Sequence, residues 1–377
     1  MHSRQQDVLT LNQREWNRPT RYHKVHQAGH RQVTRALSGA DADLADYILR
    51  GPLTVPCKLT VEGVAKNLQA FKDLGDVVIE NLGFGSLEQL DEVQKLRIFR
   101  YYLPVFFWCQ AQLEEHRHSG GSGEPLVIGM QAPQGCGKTT LVEQLEFLFE
   151  HTGSKAASVS IDDFYLTFED QQALAKSQPG NSLVELRSNA GTHDVDFGLA
   201  AISRLKGCRT ADSTVTVPRY DKAAHGGKGT RAAEDTWPVI NGPVEVILFE
   251  GWMLGFEPVT KEAAAAVDPN LVGVNERLQD YQRWHEQVDA WLILKVSDPA
   301  YVYRWREQAE VVLRSKGKGG MTEAQVKDFV DRYMPAYRAY LPHLYAKGPE
   351  RKNPNKALVI EINEGRGLVE QQPEPLW

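Results

Sequence analysis

Between about Asp41 and His118 the apolar residues recur at helical spacing, and no run in that region reads as a strand. Ser86 with Gln89 has the form of a capping box, and Leu87, Leu90, Val93 and Leu96 follow at steps of three. A helix is therefore predicted to begin near Leu87. The stretch Tyr101-Tyr-Leu-Pro-Val-Phe-Phe-Trp108 is apolar on every side, so its aromatics are expected in the core, with Pro104 kinking or breaking the helix. After the small-residue joint Ser119-Gly-Gly-Ser-Gly123 the texture changes to short apolar runs that alternate with amphipathic segments. Candidate strands fall at 126–130, 156–161, 214–218, 244–249, 290–296 and 357–362. Unbroken runs such as Val246-Ile-Leu-Phe249 suit strands covered on both faces, as βαβ units produce.

The pattern predicts an α/β fold: a mostly parallel sheet flanked by helices, behind an all-helical N-terminal region. The expected divisions are a basic arm over 1–40, a helical region over 41–118, a linker over 119–124 and a sheet domain over 125–377.

Composition narrows the function. The 377 residues are 42% hydrophobic and 24% charged, and 43 basic against 49 acidic residues give a net charge of −6. That mild negative balance offers no footprint for a nucleic-acid partner. The longest apolar run, Tyr101 to Cys109, is far short of the roughly 20 residues a membrane-spanning helix needs, so no membrane partner is expected either. Cys57, Cys109, Cys136 and Cys208 form no C-x-x-C pair, which argues against a disulfide scaffold or structural zinc and fits a reducing compartment. The first 35 residues carry seven Arg or Lys against Asp7 and Glu15, without the apolar stretch of a secretory signal.

The run Leu126-Val-Ile-Gly-Met130 leads into Ala132-Pro-Gln-Gly-Cys-Gly-Lys-Thr-Thr140. This is the P-loop pattern with Ala132 at the first glycine position, followed by an amphipathic segment from Leu141. Gly135 and Gly137 allow the backbone of Gln134 to Thr140, Cys136 included, to wrap a phosphate at the positive end of the next helix. Lys138 would then reach the β- and γ-phosphates of a nucleotide such as ATP, and the Thr139 hydroxyl would ligate Mg²⁺. Cys136 reads either as a small buried residue or as a thiol whose modification would block phosphate binding. Two decoys fail: His285-Glu286 lacks a second His because Asp289 stands there, and Gly83-Phe-Gly85 has neither a preceding strand nor a third glycine.

Two acids, Asp162 and Asp163, close the second predicted strand, where ligands of open α/β sheets bind. Either could accept the proton of an attacking hydroxyl, or cap a turn. The strand Val246-Ile-Leu-Phe-Glu250 ends in an acid that would stand near Mg²⁺. Between Arg304 and Gly320 five basic residues and a glycine-rich end suggest a lid, with Arg306 among the cations able to stabilise a transferring phosphoryl group.

These motifs resemble those of the small-molecule P-loop kinases that include uridine kinase, phosphoribulokinase and bacterial pantothenate kinase. More narrowly, the chain resembles the D-glycerate 3-kinases of plants, algae and fungi. The resemblance rests on the P-loop, on Ile161-Asp-Asp-Phe-Tyr165, Asn189-Ala-Gly-Thr-His-Asp194, Pro218-Arg-Tyr-Asp-Lys222, Phe249-Glu-Gly-Trp-Met253 and Trp305-Arg-Glu-Gln-Ala-Glu310. It implies ATP- and Mg²⁺-dependent phosphorylation of D-glycerate by a monomer, in photorespiration in the plastid stroma, with the cytoplasm as the alternative location. It also implies that Asp162 is the catalytic aspartate, the acceptor of the hydroxyl proton, and that His193, Asp194, Arg219, Tyr220 and Lys222 lie in acceptor-binding loops. A glycerate carboxylate needs a cation, and Arg219 and Lys222 come first, Arg187 and Arg231 after them. Two other readings stand beside this one: a P-loop kinase of another acceptor such as a nucleoside or pantothenate, and a nucleotide-dependent switch or assembly protein.

Overall fold

The structure, a computed structural model, describes residues 37, 39–119, 123–317, 320–349 and 356–373. Nearly all of the predicted arm, the middle of the linker, and Lys318 and Gly319 of the predicted lid lie outside the described residues.

The strands β1 (Leu126–Gln131), β2 (Ala156–Ser160), β7 (Val246–Gly251), β8 (Ala290–Val296) and β9 (Ala357–Ile362) form one parallel sheet in the order β2-β7-β1-β8-β9. β1 is buried along its whole length, with a strand on each side and the helix Leu103–His118 packed against it. Two of the predicted ranges, 290–296 and 357–362, coincide with the observed strands, and three others differ only at their ends.

The sixth candidate is not a sheet strand. β3 (Thr214–Thr216) pairs antiparallel with β6 (Val239–Asn241) in a separate ribbon. Its exposed-buried-exposed alternation suits a surface ribbon and would leave threonines unpaired inside a covered sheet. A second ribbon, β4 (Tyr220–Asp221) with β5 (Thr230–Arg231), frames the glycine-rich loop between them.

The helical region differs from expectation in two places. Ser86 caps nothing: its hydroxyl donates to Glu88 at 2.7 Å, and Leu87–Gln89 is a single 3₁₀ turn. The working capping box lies at Asp91 and Gln94, whose side chains accept each other's backbone N–H at 2.8 and 2.9 Å and open the helix Glu92–Leu96. That helix widens into a π-helical stretch, Arg97–Tyr102, and continues as Leu103–His118. Pro104 falls in the first turn of the last segment, so its missing N–H coincides with the change of turn width and the helix is not broken.

Phe99, Phe106 and Cys109 of this helical region share one hydrophobic core with Ile128, Phe149 and Phe249 of the sheet domain. Phe106 meets Phe149 edge to face, with ring centroids 5.1 Å apart. Phe149 belongs to the helix Lys138–His151 that carries the P-loop, so the N-terminal helices back the loop's own support. Among the described residues no helix is long and apolar enough to cross a membrane.

Candidate active site

The P-loop leaves β1 and turns through Gly135 and Gly137, both in the left-handed region at φ +81° and +98°. Only glycine takes such angles without strain, and the turn they make delivers Lys138 at the start of its helix. Three tertiary contacts hold the loop. The Gln134 N–H donates to the Tyr337 hydroxyl at 3.1 Å, the Gly135 carbonyl accepts from Arg366 Nε at 2.5 Å, and Trp305 lies against Gly135.

A cavity of about 1050 Å³ opens over this loop at the carboxyl ends of the strands. It is lined by Gln134, Gly135, Gly137, Lys138, Thr139, Thr140, Asp162, Lys222, Glu250 and Arg306 among the residues singled out from sequence. Lys138 Nζ bonds to Glu250 at the end of β7, and both side chains are largely shielded from solvent. Among the described residues no cluster of three or more His, Cys, Asp or Glu side chains would hold a metal alone. A Mg²⁺ ion that takes most of its ligands from nucleotide phosphates and water needs only one or two protein oxygens, and the Thr139 hydroxyl and Glu250 carboxylate are of that hard-oxygen type.

The adjacent acids diverge. Asp162 faces Lys222 at 2.5 Å. Burial acts to raise its pKa, but Lys222, with help from Lys138, outweighs burial and holds it down at about 2. Asp163 instead serves the backbone: it accepts from Tyr220 N–H at 3.2 Å and Ser160 N–H at 3.4 Å, and pairs with Arg219 at 3.4 Å. Burial pushes it up to about 6, against the pull of Arg219.

Not every predicted residue lines the cavity. Arg219 is turned to Asp163, and Asp194 caps the helix Val195–Gly207 through the Phe197 N–H at 2.9 Å while pairing with Arg231 at 3.1 Å. Tyr220 donates to the Leu166 carbonyl at 3.2 Å. His193 is buried, stacked on Tyr165 at 4.1 Å and bonded through Nδ1 to the Tyr281 hydroxyl at 2.7 Å. Desolvation lowers its pKa to about 3, so it is neutral near pH 7. Cys136 is buried among core residues, and burial pushes its thiol up to about 11.

Arg187 lines the cavity and donates to the carbonyls of Gly227 (2.7 Å) and Lys228, fixing the β4–β5 ribbon that presents Lys222. Over the opposite rim runs the helix Tyr301–Ser315. There Arg306 pairs with buried Glu310, which also accepts the Met321 N–H at 2.7 Å and so ties both ends of the predicted lid. Sequence reasoning missed Trp252, Tyr333 and Arg366 as lining residues. Arg366 had a signal: it follows the carboxyl end of β9, at φ +62°, in the zone where α/β sheets bind ligands.

No protein-family model matches the chain. A chloroplastic D-glycerate 3-kinase of Arabidopsis thaliana is 45% identical over 332 residues, covering 87% of this chain and 73% of that protein. An uncharacterized kinase of Schizosaccharomyces pombe is 37% identical over 254 residues, covering 65% of this chain and 90% of the relative. Among solved structures, D-glycerate 3-kinase from Cryptococcus neoformans superposes with a TM-score of 0.65 at 32% identity, covering 71% of this chain and 97% of that one.

Proposed function

Because the chain belongs to the D-glycerate 3-kinase family, we propose that its cavity transfers the γ-phosphoryl group of ATP to the 3-hydroxyl of D-glycerate, giving 3-phospho-D-glycerate and ADP. The observation that carries the reading is the Lys222–Asp162 pair, an anion-binding cation beside a carboxylate, in the same cavity as Lys138 of the P-loop.

In this reading the glycerate carboxylate docks on Lys222 and draws it away from Asp162. Loss of that partner lets the carboxylate's pKa rise toward its ordinary range and frees an oxygen for the 3-hydroxyl. The hydroxyl oxygen attacks the γ-phosphorus, the bond to the β–γ bridging oxygen breaks, and the hydroxyl proton passes to Asp162. Phosphoryl transfer is largely dissociative, so the proton moves late and a strong base is not required. Lys138 leaves Glu250 for the phosphates, and Arg306 faces the cavity to offset charge on the transferring group. Mg²⁺, held by Thr139 and Glu250, would neutralise phosphate charge and orient the chain. Asp163, Asp194, Arg219 and Tyr220 act at one remove, fixing the strand end and ribbon that carry Asp162 and Lys222, while neutral His193 packs behind them.

The plant relative's chloroplastic designation supports a plastid location here, where the reaction would serve photorespiration, with the cytoplasm as the alternative. The deciding experiment measures ADP release with Mg-ATP against D-glycerate, L-glycerate, uridine, pantothenate and ribulose 5-phosphate. Turnover with D-glycerate alone is expected, and Asp162→Asn should lower kcat by about 10²- to 10⁴-fold while keeping ATP affinity. Silence with D-glycerate overturns the reading.

A further inference from the structure

The turn between the helices Glu323–Asp331 and Met334–Lys347 delivers Tyr333, 3% exposed, to the wall of the cavity. Its position is fixed from three sides. The ring meets Trp252, just past Glu250, edge to face at 5.0 Å, and Phe329 at 5.1 Å. Immediately before it, the Arg332 carbonyl accepts from the buried Asn189 side chain at 2.9 Å, which ties the turn to the predicted acceptor loop over 189–194. One helical turn further on, the Tyr337 hydroxyl holds the Gln134 N–H of the P-loop. We infer that the Tyr333 hydroxyl receives the C2 hydroxyl of the acceptor, and so selects D-glycerate over its mirror image and over acids that lack this group.

The inference rests on the kinase reading, which places the two ends of the acceptor and leaves its middle unassigned. With the carboxylate on Lys222 and the 3-hydroxyl at Asp162, the carbon between them has a hydrogen and a hydroxyl left. These two exchange places between the D and L forms, so one hydrogen-bonding group on one side of that carbon decides the hand. The other polar groups near the Lys222–Asp162 pair are already committed. Arg187 is bonded to carbonyls of the loop between β4 and β5, Arg306 to Glu310, and Tyr165, the other phenol of the lining, to the Ser188 carbonyl at 3.3 Å. Tyr333 differs from these: of the described residues only the Gln134 side chain bonds to its hydroxyl. An amide that donates to the phenol oxygen leaves the phenol proton free for a ligand. Burial, with Asp162 adding to it, raises the Tyr333 pKa, while Gln134, Arg187 and Lys222 pull the other way. The phenol therefore keeps its proton at neutral pH and stands among the groups that hold the acceptor's ends. A site built to bond a substrate hydroxyl rejects an analogue without it strongly, because the site's own buried polar group is then left unpaired.

The test compares D-glycerate, L-glycerate and 3-hydroxypropanoate, which has both ends of glycerate and no C2 hydroxyl, at saturating Mg-ATP. Each is assayed with the unaltered protein and with Tyr333→Phe, a change that keeps the packed ring and removes one oxygen. The kcat/KM for D-glycerate should fall by about tenfold or more, the scale of a lost hydrogen bond to a buried group, while the values for the other two acceptors stay within about twofold. The preference for the D form then shrinks by the same factor. Where an analogue is not phosphorylated, its inhibition constant against D-glycerate gives the same comparison. An equal fall with all three acceptors would show that Tyr333 only holds the site together, and no fall with D-glycerate would show that its hydroxyl is unused; either result overturns the inference. Absence of D-glycerate turnover in the unaltered protein would overturn the acceptor assignment itself, a result distinct from a Tyr333→Phe variant that behaves like the unaltered protein.

Discussion

Trp305 stands so close to Gly135 that a Cβ on the glycine would come within 2.7 Å of the tryptophan Cβ. The lid helix and the phosphate loop are thus fitted to each other through one missing methyl group. Gly135→Ala should raise the KM for ATP by about tenfold or more, since a positive φ alone costs a non-glycine residue about 1–3 kcal/mol. Pairing it with Trp305→Ala leaves the Cβ at 305, and with it both the collision and the backbone strain, so no recovery is expected. An unchanged KM in the single variant would mean that the loop and helix separate freely.

Glu310 governs how the lid is held. It is 1% exposed and joins Arg306 to the Met321 backbone. Glu310→Ala should lower kcat/KM by about tenfold or more and raise ATP hydrolysis in the absence of glycerate, because a loosened lid admits water. Comparing ADP release with and without acceptor checks both halves, and a tightly coupled variant would refute them.

The two neighbouring acids pull stability in opposite directions with pH. Asp163, at about 6 when folded, binds its proton more tightly than in the unfolded chain, where an Asp titrates near about 3.9. Its contribution is complete below the unfolded value and is lost as pH rises from about 4 through 6. Asp162, at about 2, contributes above the unfolded value and loses that contribution as pH falls from about 4 toward 2. The melting temperature of Asp163→Asn, relative to the unaltered protein, should therefore fall as the pH is lowered from 6 to 4. A difference that stays flat across this window would contradict the shift.

Cys136, despite its place in the loop, should resist thiol reagents. With its pKa pushed up to about 11, roughly one thiol in three thousand is ionised at pH 7.5, and the side chain is buried. N-ethylmaleimide should leave activity largely intact over an hour, and Cys136→Ser should match the unaltered protein in that assay. Rapid inactivation prevented by ATP and abolished in Cys136→Ser would show the thiol to be reachable.

Four of the five sheet strands, β1, β7, β8 and β9, were legible because each contains an apolar run of four or more residues that is covered in the sheet, whereas β2, Ala156-Ala-Ser-Val-Ser160, is a weaker signal that alternates buried and half-buried positions. Thr214-Val-Thr216 misled because three alternating residues look alike in a sheet and in a surface ribbon, and only the partner, Val239–Asn241, tells them apart. β4 and β5 left no periodic signal at all, being two residues each and fixed by Arg187 from 33 or more positions away. At the candidate site, Lys138 and Thr139 were legible because the P-loop motif sets them at the start of its helix, and Asp162 and Glu250 because they stand at strand ends. Which of two adjacent acids faces a lysine, and that Arg219 turns to Asp163, depend on contacts across 56 to 60 residues of chain that carry no local pattern.

The one core shared by the N-terminal helices and the sheet changes what the glycine-serine joint after Ser119 means. A joint of that composition ordinarily separates bodies that can part, yet here Phe106 and Phe149 lie locked together on either side of it. If a protease were to open the chain between Ser119 and Gly123, the fragments would stay bound as a nicked, folded whole and come apart only in denaturant. Made as two separate polypeptides, 1–119 and 123–377, the pieces are expected to co-purify through this core, and failure to associate would show that the continuous backbone is required.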